Sequence, residues 1–457
     1  MGLLYRLLNR DGKYLSNEAS KALACAIPNS SSALVCESPK KSLRFAHTGN
    51  VMGCCYNREY VLGKYPKDSI RSIWNGQKRN ALNKALKYND FGKGCSACHQ
   101  ALENNNFHNS GAAQYNYLRN YPNSKYPTML DFEIGSTCNL ECIMCNGEYS
   151  STIRKNREGC SPYEEIYDDG FVQQLREFIP HLLEARFVGG EPFLVKIHYP
   201  IWNAIYELNP KCKISILTNG TVWNKSVEEF FRKGNVHISF SIDSINPEEY
   251  SIIRKRGHLS KVLNNFNAVR LMSAELGRSV VVNICVMRQN LHSIAETIKY
   301  FDNCDVEISL HEVEYPFHTS IWNWTIVEIN SLKNNLSNMK LTGECSKNNQ
   351  QKVDSMINGL TAMIQIVPFL QEKRNQMEKL DYCSVKRLFI ENISTAKKSH
   401  LGKRVENILT LTENEMHENL LKKVLVEMLL FPQERLVGEV ENLSDDRLKM
   451  KFKHAFG

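Results

Sequence analysis

Three cysteines within eight residues, Cys138-Asn-Leu-Glu-Cys142-Ile-Met-Cys145, can offer three thiolates from one short loop to a single metal centre. A cubane iron-sulfur cluster ordinarily takes four cysteines, so three leave one iron open to a small-molecule ligand, as open catalytic metal sites do in general. A zinc ion completed from elsewhere, or small buried core thiols, is the bland reading of the same spacing. Upstream, Cys36, Cys54 and the pair Cys95-Ser-Ala-Cys98 form a second set, and four thiolates complete either a zinc site or a second 4Fe-4S cluster. Cys55 beside Cys54 leaves that ligand open by one position.

Other polar motifs recur downstream of the loop. Gly189-Gly190-Glu191-Pro192 brings two glycines that let backbone approach a ligand and a carboxylate able to accept from an ammonium group. Thr218-Asn219-Gly220 and the run Ser239 to Asp243, with Ser241 and Asp243 polar, follow in the same phase. Each motif alone reads as a turn; in this order they read as one site.

These motifs need elements to hold them. Short β-branched or aromatic runs alternate with helical patterns from Thr128 onward, which predicts βα units on a parallel sheet. Strands are expected at Met129 to Ile134, Ala185 to Val188, Lys213 to Leu217, Val236 to Ile242, Val280 to Val286 and Val306 to Leu310. A helix is expected over Phe171 to Leu183, with Val172, Leu175, Phe178, Ile179 and Leu182 on its buried face. The motifs then fall at the carboxyl ends of strands, where loops of parallel folds converge on one mouth. Right-handed crossovers make six such units an open barrel or a doubly wound sheet. The expected organisation is a helical then loose segment over 1–35 that includes Asn29 to Ser32, a cysteine-rich module over 36–103 and a linker over 104–127. The parallel unit follows over 128–315 and a helical region over 316–457, with Ile357 to Leu370 and Leu420 to Leu430 its clearest helices.

A Cys-x3-Cys-x2-Cys loop after the first of six βα units resembles the radical S-adenosylmethionine (radical SAM) superfamily, although Met144 stands where many members place an aromatic residue. The resemblance implies an α/β fold, a partial (βα)6 parallel barrel, with S-adenosylmethionine chelating the open iron of a 4Fe-4S cluster held by Cys138, Cys142 and Cys145. It implies that Gly189, Gly190, Glu191 and Pro192 hold the cofactor's amino group. Thr218, Asn219, Ser241 and Asp243 would lie beside its ribose and methionyl part, Arg254 would meet its carboxylate, and Asn283 is a further candidate. The stretch from Cys36 to Cys98, with Ser69-Ile-Arg-Ser-Ile-Trp74-Asn-Gly inside it, resembles the SPASM or twitch segment that carries auxiliary clusters, placed here before the barrel instead of after it. Its ligands would be Cys36, Cys54, Cys95 and Cys98, with zinc as the alternative.

At 457 residues and 42% hydrophobic content the chain can bury large cores. No run approaches about 18 consecutive apolar residues, and Met1 to Asp11 is basic without a secretion-type apolar stretch. A cytoplasmic setting and no membrane are therefore expected, and fifteen cysteines there point to metal instead of disulfides. The 57 Lys and Arg against 49 Asp and Glu give +8, yet no basic stripe interleaved with aromatics points to nucleic acid. The leading expectation is hydrogen abstraction from a peptide or protein by a 5'-deoxyadenosyl radical, with flavodoxin or ferredoxin as electron donor. A sugar or aminoglycoside dehydrogenase or epimerase is second and a tRNA-modifying enzyme third; a zinc-stabilised RNA- or protein-binding module is the alternative without catalysis. Among the unpaired cysteines, Cys383 and Cys345 are candidates to give a hydrogen atom to a substrate radical, although a lone cysteine is more often a core residue.

Overall fold

Strand order and burial explain how the motifs are brought together. The computed structural model describes residues 14–26, 35–103, 107, 110–313, 315–341, 346–394, 399–431 and 433–456; Asn29 to Ser32 and Cys345 lie outside them. The chain divides into two compact units, one of residues 1–284, 296–310 and 346–355, the other of 285–295, 311–345 and 356–457.

Nine strands form one open sheet in the order β3-β2-β1-β4-β5-β6-β7-β8-β9. The six expected strands are present as β4 (Met129–Glu133), β5 (Glu184–Phe187), β6 (Lys213–Thr218), β7 (Val236–Ser241), β8 (Val280–Val286) and β9 (Glu307–Glu312). The registered pairs from β4 to β8 are all parallel. The fold is thus α/β, a partial parallel barrel with a helical C-terminal region. β1 (Ser42–Ala46), β2 (Asn50–Met52) and β3 (Gly63–Lys64) were not anticipated. β1 pairs parallel to β4, and β2 runs back against β1, so the cysteine-rich segment extends the barrel's own sheet.

Alternation along the strands separates two faces. One is apolar: Phe45, Phe132 and Phe187 stack across β1, β4 and β5 with ring centroids 5.6 and 4.8 Å apart. Phe171 packs edge-on against Phe45 from the helix Asp169–Leu175, and Trp202 does the same against Phe187 from the helix His198–Leu208. The other, inner face carries the polar row Arg44, Asp131, Arg186, Ser215 and His237, each in register with the next.

The helix expected over Phe171 to Leu183 stops at Leu175 and resumes as a short 3-10 turn at Ile179–His181. Pro180 has no N–H and its ring disfavours a helical neighbour before it, so the chain breaks there while the five expected face residues stay buried. The stretch expected as a linker, 104–127, is ordered where described. Ser110 caps a helical turn at Gly111–Gln114, Tyr115 and Leu118 are fully buried, and the Lys41 ammonium donates to the Leu118 and Tyr121 carbonyls at 2.6 and 2.7 Å. Its Asn, Tyr and Gly content signalled turns, not freedom.

In the second unit, the helices Tyr382–Ile393, Ser399–Glu413, Glu418–Leu429, Gln433–Asn442 and Asp445–Lys453 pack around Val385, Phe389, Leu421 and Leu425. Ile357 to Leu370 lies inside the longer helix Lys347–Glu378. That helix is long and apolar enough over Asn349–Glu378 to cross a membrane by composition. A third of the window that qualifies is buried in the fold, and Asp354, Asn358 and Gln365 interrupt the stretch.

Candidate active site and auxiliary cluster site

The first cysteine loop leaves the carboxyl end of β4 and is closed by the helix Ser151–Asn156. Ser150 caps that helix through the Ile153 N–H and donates its hydroxyl to the Leu140 carbonyl at 2.7 Å, tying the loop down between Cys138 and Cys142. The Cys145 N–H donates to the Cys142 carbonyl at 3.0 Å, so the last two cysteines share one turn. Cys142 is buried; Cys138 and Cys145 are half-buried. Burial pushes the Cys142 thiol up to about 11 and raises Cys138 as well, so a positive metal centre is what would favour thiolates here.

The later motifs converge on this loop. Gly189 and Gly190 sit at φ +84 and +56, and a Cβ on Gly190 would stand 2.4 Å from the Thr137 carbonyl oxygen. Only glycine permits that approach of the second motif to the cysteine loop. Glu191 departs from expectation. Its carboxylate is fully buried and accepts from the Thr218 hydroxyl at 2.8 Å, the Asn219 N–H at 2.8 Å and the Phe193 N–H at 3.3 Å. It braces one strand end against the next, and burial raises its pKa to about 7. The half-buried part of the motif is Gly189 and Gly190, while Pro192 is buried.

Asn219 carries the connection onward. Its amide donates to Asn139 Oδ1 at 3.0 Å and lies 3.8 Å from Cys138 Sγ. Arg254 and Asp243 form a buried pair at 2.7 Å, and the Arg254 guanidinium reaches Cys142 Sγ at 3.8 Å. Both were expected beside the cofactor; the structure places them against the loop's central cysteine. Ser241 and Asn283 are in register on β7 and β8 and remain half-buried on the inner face.

The second set also meets. Cys36, Cys54, Cys95 and Cys98 line one cavity with Leu82, Leu86 and Phe91. Cys54 faces this cavity, whereas the Cys55 thiol receives the Tyr115 hydroxyl at 3.7 Å, so the ambiguity between neighbours falls to Cys54. Backbone N–H groups of Asn57 and Gly111 donate to Cys54 Sγ at 3.3 Å and Cys98 Sγ at 3.2 Å, and the Asn57 amide donates to Cys95 Sγ at 3.3 Å. Such N–H donors suit the electron-rich sulfurs of a cluster. Burial pushes Cys36 and Cys54 up to about 12 and about 11. Among the described residues no three side chains converge tightly enough to ligate a single metal ion. None of the fourteen described cysteines is joined in a disulfide.

Residues 132–301 match the radical SAM superfamily, and residues 36–99 match SPASM, an iron-sulfur cluster-binding domain. The chain is a radical SAM protein with a SPASM segment. Its cofactors are 4Fe-4S clusters and S-adenosylmethionine, and the iron-sulfur match displaces the zinc alternative that spacing left open. Curated relatives include a GTP 3',8-cyclase of Synechocystis, 28% identical over 178 residues, which span 38% of this chain and 51% of that protein. Molybdenum cofactor biosynthesis protein 1 of Dictyostelium discoideum is 25% identical over 44% of this chain and 30% of its own length. The chain spans about half the length of the GTP 3',8-cyclases it matches. Among solved structures, SuiB of Streptococcus suis bound to precursor peptide SuiA is similar at TM-score 0.39 and 17% identity, over 55% of this chain and 53% of that one. The enzyme anSMEcpe with bound AdoMet gives 0.38 and 18%, over 48% and 62%.

Sequence reasoning missed Asn57, Asn139, Thr221 and Gly111, which hold the loops or sulfurs. Gly111 lay in the supposed linker, and Asn57 carried only the faint signal of an amide two residues after a Cys-Cys pair. Cys383 is exposed, in the turn after the helix cap Asp381.

Proposed function

We propose that this radical SAM enzyme abstracts hydrogen from a peptide or protein substrate. Cys138, Cys142 and Cys145 would hold the reactive cluster, and Cys36, Cys54, Cys95 and Cys98 the auxiliary one, with 36–103 and 128–315 as the two working modules in a cytoplasmic setting. Bound there, the cluster and S-adenosylmethionine supply a 5'-deoxyadenosyl radical able to take hydrogen from an unactivated carbon. The residues' own tasks are positioning and exclusion of water. Gly189 and Gly190 give backbone access at the loop, Glu191 locks β5 to β6 through Thr218 and Asn219, Arg254 brings positive charge to Cys142, and Ser241 and Asn283 present polar groups on the inner face.

The observation that carries the substrate class is charge balance on the inner face. Arg44 pairs with Asp131 and Glu133 at 2.6 Å, Arg58 with Glu133 at 3.1 Å, and Arg186 with Glu184 at 3.0 Å. Three arginines are matched by three carboxylates, leaving none of the three uncompensated for a triphosphate; an uncharged peptide segment makes no such demand. Cyclisation of a nucleoside triphosphate, the activity named for the relatives, is the rival. Reconstituted enzyme with S-adenosylmethionine and reduced flavodoxin, offered GTP or a library of peptides, decides between them. We expect 5'-deoxyadenosine and a mass change in a peptide only; a cyclised nucleotide would overturn the substrate class. In the same assay Cys383→Ala tests the hydrogen-donor role through deuterium incorporation, and unchanged labelling removes that cysteine.

A further inference from the structure

The chain's positive charge is concentrated in one place. Residues 36–103 contain twelve Lys and Arg against five Asp and Glu, so this module carries nearly all of the chain's net +8. None of its five acids is exposed: Glu37 is buried, and Glu59, Asp68, Asp90 and Glu103 are half-buried. Asp68 accepts from the Lys64 N–H and Asp90 from the Gly92 N–H, while Glu103 takes the Ser16 N–H. By contrast Lys64, Lys67, Lys78, Lys84 and Lys87 are all exposed, and among the described residues none of them pairs with a carboxylate.

The helix Gln77–Lys87 organises this surface. Leu82 and Leu86 on its inner side line the cavity of Cys36, Cys54, Cys95 and Cys98. Gln77, Asn80, Lys84 and Lys87 are exposed at helical spacing on the opposite side, Lys78 stands at its start, and the helix contains no acid. One helix thickness, roughly 10–12 Å, therefore separates a basic face from the four cysteines. Arg79 is not part of it; its guanidinium stacks on Trp74, 3.8 Å from the ring centroid.

We propose that this face docks an acidic electron-transfer protein that exchanges single electrons with the auxiliary cluster. The proposal rests on the auxiliary-cluster reading above. One electron passes from the reduced carrier to the oxidised cluster, the carrier is oxidised by one electron, and no bond is made or broken. A solvated charged surface has no reason to exclude every exposed acid from the one module that holds the cavity, and an acidic partner is steered by the field that results. Nucleic acid would also be drawn to lysines. It is disfavoured because, among the described residues, the exposed large aromatics at this helix end are few, Tyr88 and the Asp90-bridged Tyr14, short of a run of stacking platforms.

The test uses the full chain with Cys138, Cys142 and Cys145 changed to Ala, so that only the auxiliary cluster reports. Reduction is followed by stopped-flow absorbance with flavodoxin hydroquinone, and separately with reduced methyl viologen, a small cation. The Lys78→Glu, Lys84→Glu, Lys87→Glu variant is expected to slow flavodoxin at least about tenfold at low salt and to flatten its salt dependence. With methyl viologen the rate should hold or rise. Unchanged flavodoxin kinetics, an equal slowing with both reductants, or competition by a single-stranded oligonucleotide but not by oxidised flavodoxin would overturn the docking surface. If the reversal variant loses iron, Lys84→Gln with Lys87→Gln is read in its place, with a smaller slowing expected. Absence of iron in the parent protein would instead sink the auxiliary-cluster reading itself.

Discussion

Three cysteines within eight residues make one site and four drawn from sixty-three residues make the other, and their surroundings differ as much as their spacing. The compact set sits at the carboxyl edge of β4 with Cys138 and Cys145 half-buried, next to two glycines with positive φ. The dispersed set lies behind Leu82, Leu86 and Phe91, and its sulfurs receive three N–H groups from Asn57 and Gly111. Exposure and access sort the two sites better than the number of ligands does. At the open one, Cys138 and Cys145 are half-buried beside the backbone of Gly189 and Gly190, where a small-molecule ligand would meet a three-cysteine cluster, whereas the walled one sets four cysteines among apolar side chains, which suits electron exchange.

The largest expected effect separates them outright. Changing Cys138, Cys142 and Cys145 to Ala should abolish 5'-deoxyadenosine formation and lower iron from about eight to about four per chain, with little change in thermal midpoint. Changing Cys36, Cys95 and Cys98 should remove a similar amount of iron but also lower the midpoint, because folding of the walled site is coupled to its metal. Equal midpoints for the two variants would erase the contrast. Next in size is Gly190→Ala. At φ +56, with Thr137 oxygen 2.4 Å from the new Cβ, strain of about 1–3 kcal/mol should weaken S-adenosylmethionine binding by roughly ten- to a hundredfold while the clusters stay intact. Gly277→Ala, at φ +63 with open space around it, is the control; equal losses would show backbone strain alone at work.

Much of this architecture was legible because it repeats. Short β-branched or aromatic runs between helical patterns marked β4 to β9, and helical spacing marked the face built by Val172 to Leu182 even where Pro180 broke the helix. The short strands β1 to β3 were hidden because two to five residues cannot display a period, and the pairing of β1 with β4 joins segments about eighty-seven residues apart, as Ser42 opposite Met129 shows. Cysteine spacing marked both thiol sets as candidates, since thiols are rare and their chemistry narrow, and the structure brings the four dispersed ones to one cavity. Glu191 could not be read in this way. A carboxylate in a glycine-rich turn looks free to meet a ligand, and only burial beneath Thr218 and Asn219 shows that its bonds are already made. Arg254 and Asp243 illustrate the same limit, for sequence separates them by eleven residues and gives no sign that Cys142 lies against the pair.

Glu191 also gives the open site a pH signature near neutrality. Its pKa in the folded chain is raised to about 7, above the usual carboxyl value near 4.3 in an unfolded one. The folded state then holds the extra proton, so this contribution is complete below about pH 4.3 and is lost as pH rises through 7. Wild type should lose on the order of 2 kcal/mol between pH 4.5 and 8 that Glu191→Gln does not. Thermal midpoints measured across that range should diverge; parallel curves would mean that the three donors around the carboxylate keep it ionised throughout.

The smallest expected effect sharpens the comparison most, because it matches one asparagine against another. The Asn57 amide donates to Cys95 Sγ at 3.3 Å and to the Lys93 carbonyl at 2.7 Å, and its oxygen takes the Tyr60 N–H at 3.0 Å. Asn57→Ala should cost about 1 kcal/mol, mostly from groups left unpaired, and lower the auxiliary potential because a donor to sulfur is gone. The Asn219 amide reaches Cys138 Sγ at only 3.8 Å but also donates to Asn139 Oδ1 at 3.0 Å and accepts from the Thr221 N–H at 2.9 Å, while its backbone N–H, which an alanine keeps, donates to Glu191. Asn219→Ala should therefore act through cofactor affinity more than through potential. Redox titration followed by electron paramagnetic resonance assigns each shift to its cluster. If Asn57→Ala moved the signal of the Cys138 loop as much as its own, the two sites would be electronically one, and the division between an open and a walled site would fail.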